Sequence, residues 1–228
     1  MQNLPLYVPL VFVATVMVAV WIFYKATNNS TTFLLITTAW VLLQSALGLE
    51  GFYQVGASIT PPRFPLLILP PVLAIATLFF TPSGKVFLDG MNIRTLTLFH
   101  IVRIPVEVVL YWLFVAKAVP ELMTFEGRNF DILSGLTAPF IYYFGFVVNK
   151  LPKSVLILWN LLCLGLLMNI VFYAALSVPT TLQQFAFEQP NIAFQYIPFL
   201  LLPTCVAPLA FFANAIALRQ LLAPRKSL

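Results

Sequence analysis

The segment Thr95-Leu-Thr-Leu-Phe-His100-Ile-Val-Arg103-Ile-Pro105-Val-Glu107-Val-Val-Leu-Tyr111-Trp-Leu-Phe114-Val-Ala116 decides the fold class. It is apolar apart from His100, Arg103 and Glu107 and is long enough to cross a bilayer, which takes about 20 residues at 1.5 Å each. At 100° per residue, His100, Arg103, Glu107, Tyr111 and Phe114 share an arc of about 80°, so one face of this helix is polar or aromatic across much of the bilayer. That face must point into a bundle. A charge at mid-depth costs about 2.5–3.5 kcal/mol on insertion scales. Arg103 and Glu107 stand four apart and can pair, but arginine ahead of glutamate is the less favourable order. Further partners are expected.

The rest of the chain agrees with a membrane setting. Of 228 residues, 61% are apolar and 8% charged, against about 45–50% and 25% in a soluble domain. The mean hydropathy is +0.97. A water-soluble fold is excluded by this balance. The net charge of +5 reflects lysines and arginines gathered at one membrane face, and no nucleic-acid partner is expected. Cys163 and Cys205 sit inside apolar runs and read as small core residues, not a disulfide.

Seven spans are expected, over residues 4–24, 30–50, 64–82, 95–117, 132–149, 154–177 and 193–219, forming one all-α transmembrane domain over 1–228. The first lacks a leading basic residue and a small-residue cleavage site, so it is expected to remain as a span. The connections after spans one, three and five and the carboxyl tail hold Lys25, Lys85, Arg94, Lys150, Lys153, Arg219, Arg225 and Lys226 against the single acid Asp89. Those ends are expected to be cytoplasmic and the amino terminus outside. The other connections hold Arg63, Lys117 and Arg128 against Glu50, Glu121, Glu126, Asp131 and Glu188. A plasma (inner) membrane location is expected.

Phe64-Pro-Leu-Leu-Ile-Leu-Pro-Pro-Val-Leu-Ala echoes Ile197-Pro-Phe-Leu-Leu-Leu-Pro-Thr-Cys-Val-Ala at one offset, pairing Pro65 with Pro198 and Pro70 with Pro203. If span three corresponds to span seven, the layout is a 3+1+3 parallel repeat with span four as connector. Seven spans, an external amino terminus and this layout resemble the sugar transporters of the SWEET and PQ-loop group, and more loosely the rhodopsin-like superfamily. The proline-glutamine pair that names the PQ-loop group is missing, the nearest feature being Gln189-Pro190 in a loop. No site residue carries over from the resemblance.

Candidate residues follow from the polar stripe. His100, Arg103, Glu107 and Tyr111 form a binding and coupling centre in which Arg103 holds a polar or anionic group and Glu107, with His100, exchanges a proton. Asn160, Asn169, Thr204 and Asn214 are polar groups in other spans that serve as helix glue or contact a solute. Glu126, Arg128, Asn129 and Asp131 lie in the longest polar loop and are assigned to an outer mouth, with Asp131 also placed to cap span five. Pro105 cannot donate to the carbonyl of Ile101 and bends span four beside Arg103. Pro70, Pro105 and Pro203 are the expected hinges.

One histidine cannot build the multi-histidine sites of membrane metalloenzymes. No thiol-exchange pair, G-x-S-x-G elbow or phosphate-binding glycine loop is present, and no metal or cofactor is expected. A retinal Schiff base is excluded because no lysine falls within the last span. The leading expectation is binding and translocation of a small polar or anionic solute through a central pocket lined by span four with spans three, six and seven. The alternatives are a non-transporting receptor or accessory subunit, held by a partner membrane protein or as a homo-oligomer, and a lipid-modifying enzyme. Glu107→Gln is expected to fold and to abolish the pH dependence of solute uptake. Uptake with unchanged pH dependence would remove Glu107 from any coupling role.

Overall fold

The structure is a computed structural model that describes residues 4–54 and 63–223; Arg225 and Lys226 of the basic tail lie outside the described residues. Those residues form helices and no strand: α1 (Tyr7–Ala26), α2 (Thr31–Leu49), α3 (Pro65–Phe80), α4 (Pro82–Asp89), α5 (Ile93–Phe99), α6 (Arg103–Val115), α7 (Ile132–Tyr142), α8 (Lys153–Leu176) and α9 (Ala207–Leu222). A 3-10 turn, His100–Val102, joins α5 to α6, and π-helical turns at Tyr143–Val147 and Leu202–Val206 extend α7 and precede α9. Five continuous helices are apolar and long enough to cross a membrane: Tyr7–Ala26, Thr31–Leu49, Ile93–Val115, Lys153–Leu176 and Leu202–Leu222.

Three of the seven expected spans differ. The third breaks at Thr81, where α4 turns away from α3 by 93°. Thr81 is extended, its Oγ1 accepts from Gly84 N–H, and Pro82 opens the next helix. This is a strong stop-and-start signal inside an apolar run. The fifth expected span, 132–149, is a short helix, Ile132–Val147. The seventh begins at Leu202, nine residues later than residue 193, because Ala193–Gln195 is a separate 3-10 turn. The echoed prolines also take different backbones: Pro70 lies within α-helical α3, whereas Pro203 lies in a π turn.

Among the described residues, Lys25, Lys153 and Arg219 lie at one end of the bundle. There Asn28 Nδ2 donates to Gly90 O at 2.7 Å, Asn92 N to Ala26 O at 2.9 Å, Arg219 forms a forked pair with Asp89 at 2.8 and 2.9 Å, and Lys153 Nζ reaches Ala223 O at 3.5 Å. Asn28 and Asn29 turn the chain with φ of 55° and 62°, and Ser30 caps α2. These positions suit asparagine, which tolerates the left-handed region. At the opposite end Gln189 Nε2 donates to the carbonyls of Phe114 and Val119. Past the end of α2, Tyr53 donates to Gln44 Oε1 at 2.7 Å, and burial pushes its phenol above the usual value.

Span four and the last helix are the most buried of the long helices. α1 packs along α5 and α6, α9 along α5 and α8, and α7 along both halves of span four. Phe23 stacks on Phe33 and Phe212 at 5.3 and 5.5 Å and meets Phe99 edge-on at 5.3 Å. In lipid such contacts act by close packing, since leaving one apolar neighbour for another gains no hydrophobic energy. Small residues let α7 approach: Ser134 and Ala138 are buried against span four, and a Cβ at Gly135 would lie 2.7 Å from Ile104 Cγ1 and 3.2 Å from the His100 carbonyl oxygen. Gly135→Val is therefore expected to lower stability by about 1–3 kcal/mol, the usual cost of overpacking, measured by reversible unfolding in mixed micelles. A change near zero would contradict this packing.

Candidate functional site

Pro105 removes a backbone donor, and the turn before it tightens to 3-10 geometry, which sets Arg103 at the start of α6 in the middle of span four. Because α7 is short, the loop that precedes it enters the bundle instead of staying at its rim. Asp131 thereby reaches Arg103 and pairs through Oδ1 with Nη1. The same Nη1 faces Ser134 Oγ at 3.1 Å and the Cys163 carbonyl at 3.2 Å. Asp131 does not cap α7 with its side chain.

Glu107 has a different partner. Asn129 Nδ2 lies 2.7 Å from each Glu107 carboxyl oxygen and 3.0 Å from Met123 O, while Asn129 Oδ1 accepts from Asp131 N–H at 3.1 Å. Arg103, Glu107, Asn129, Asp131 and Ser134 are all at most 5% exposed. Among the described residues, Arg103 is ion-paired to Asp131 rather than to Glu107. The network is incomplete: Arg103 Nε and Nη2 and His100 Nδ1 are buried with no hydrogen-bond partner. A buried donor left unmade costs about 1–3 kcal/mol, more when charged, so each such atom requires a reason.

Arg103, Glu107 and Asp131 form one wall of a cavity of about 330 Å³. The remaining walls come from α3 (Ile68, Val72), α6 (Val106, Leu110), α8 (Leu167, Ala174, Ala175) and the segment through Pro203, Val206 and Ala207 into α9. The expected contributors thus surround it, but the surface they present is almost wholly apolar rather than polar. A second cavity, of about 730 Å³, lies between α2, α3 and the π turn before α9, with Trp40, Pro70, Pro71 and Thr204 in its lining.

The other singled-out residues are dispersed. His100, 1% exposed, is met edge-on by Trp159 at 5.3 Å. Tyr111 stacks on Phe125 at 5.2 Å. Asn160 and Asn214 donate to carbonyls one turn back in their own helices, and Thr204 Oγ1 does the same. Asn169 Nδ2 donates to Arg128 O at 2.8 Å, and Arg128 reaches the Tyr173 hydroxyl at 3.0 Å. The four outer-mouth residues separate: Glu126 and Arg128 are exposed, whereas Asn129 and Asp131 are inserted beside span four.

Ser134 and the Cys163 carbonyl were not legible as site groups. The available signal for Ser134 is its place three residues after an acid at a helix start, which serves equally for capping. Asp131→Asn is expected to cost about 3–5 kcal/mol, the range for stranding one member of a buried pair. The double replacement Arg103→Met with Asp131→Leu is expected to cost much less than the two single changes together. Additive losses in a double-mutant cycle would contradict the pairing. No protein family, curated protein or solved structure significantly matches the chain.

Proposed function

We propose that this chain is a multi-pass membrane protein, with seven membrane-embedded helical segments and its basic end in the cytoplasm, that binds a small solute beside Arg103 and carries it across the bilayer. The observation that carries this reading is the pair of unpartnered nitrogens, Nε and Nη2, on a guanidinium that is 3% exposed and forms part of a cavity wall. An intramembrane charge kept at this cost marks a functional centre by default.

Motion about the cavity has a physical basis in the helices around it. Span four changes from α to 3-10 at His100–Val102, and the wall opposite contains the π turn Leu202–Val206 followed by Pro208. Such irregular backbone is tolerated in a membrane where protein or a cavity surrounds it, and is a place where rigid halves of a carrier can rock. The inserted loop, fastened through Asn129 and Asp131, would then be the gate on the acidic side.

The apolar walls favour one second reading, a receptor or accessory subunit that binds its ligand without moving it. Single cysteines at Ala175 and Ala207, in a chain carrying Cys163→Ala and Cys205→Ala, separate the two. In sealed vesicles of both orientations, a carrier is expected to expose these cysteines to a membrane-impermeant thiol reagent from either face. Labelling from one face alone, or from neither, would reject translocation and leave the receptor reading.

A further inference from the structure

We infer that the ligand of the Arg103 cavity is an uncharged amphipathic molecule, with a carbonyl or hydroxyl oxygen on an aliphatic body. This rests on the reading of the cavity as a ligand site and narrows the chemistry of what it takes.

Charge comes first. Arg103 is already paired with Asp131, and Glu107 adds a second carboxyl group one turn further along α6. One cation thus stands with two acids, so the wall offers no net positive charge to an incoming anion, even with Glu107 protonated. An anionic head would be stripped of water with nothing to neutralise it. A cationic head meets a net negative charge only while Glu107 is ionised; with Glu107 protonated the wall is neutral, and the hydrogen-bonding capacity left over on Arg103 consists of N–H donors. Those nitrogens are themselves buried, so the guanidinium must turn toward the cavity to meet a ligand, and what it then offers is N–H donors for a neutral acceptor oxygen.

The body of the ligand follows from the other walls. Ile68, Val106, Leu110, Leu167 and Ala207 present hydrocarbon, and about 330 Å³ lies at the lower end of the usual range for small-molecule sites. Met168 also borders the cavity and is 48% exposed on the outer surface of α8, placing one side of the cavity against the bilayer. A molecule dissolved in lipid can therefore enter with its oxygen leading toward Arg103.

The test uses the full chain in lipid nanodiscs and a matched set of probes: decan-2-one, decan-1-ol, decanoate, decylamine and decane. The readout is the thermal unfolding midpoint. The ketone and the alcohol are expected to raise it by several degrees at saturation, with the other three leaving it unchanged. Ala175→Phe fills the cavity from α8 and is expected to remove the rise; Ala207→Phe does so from the opposite wall should the first variant fold poorly. A rise with decanoate or decylamine as large as with the ketone overturns the uncharged head while leaving the binding site in place. An equal rise with decane that survives both filled variants is partition into the bilayer and overturns the inference. Absence of any shift with every probe, and with small water-soluble acids and sugars as well, overturns both the inference and the binding reading beneath it.

Discussion

A guanidinium buried inside an apolar helical bundle is cut off from bulk water, so the protein must bring polar groups to it. The structure does this by shortening one helix. α7 starts at Ile132, and Asp131 and Asn129 ahead of it come down to meet Arg103 and Glu107. Ser134, Gly135 and Ala138 then keep the face of α7 small enough for the backbones to close. The inserted loop, the short helix and the small-residue face are consequences of one buried charge. By contrast, the Arg219–Asp89 pair at the basic end is partly open to solvent, where it can be screened.

The class of the fold was readable because hydropathy reports directly on the solvent a segment prefers. The polar stripe of span four was equally plain, since 3.6-residue periodicity alone places His100, Arg103 and Glu107 on one inward side. The lengths of the third and fifth segments were not readable. An apolar window continues through Thr81-Pro82 without registering a bend of 93°, and through Ile132–Val147 without revealing at what depth it starts. That second miss explains the misplacement of Asp131 and Asn129: distance along the chain put them with Glu126 and Arg128 at a rim, whereas depth separates them. Partner choice failed in the same way, because an i, i+4 neighbour is visible in sequence and an aspartate on another helix is not.

The cavity shows a further limit of residue patterns. A polar stripe suggests a polar passage, yet each polar side chain here is largely occupied by another, and hydrocarbon supplies the remaining walls. What stays unpartnered beside span four is small and specific, namely Nε and Nη2 of Arg103 and Nδ1 of His100, all of them buried. Periodicity can place that arginine on an inward face; only three-dimensional packing shows which of its nitrogens are already used.

The most direct measurement is an experimental density map of the protein in native lipid, at a resolution that separates the atoms of the Arg103 guanidinium. Nη1 is expected against Asp131, with non-protein density in the cavity within hydrogen-bonding distance of Nε or Nη2. A guanidinium whose nitrogens are all satisfied by protein groups, beside a cavity closed by its own side chains, would contradict a ligand site at Arg103.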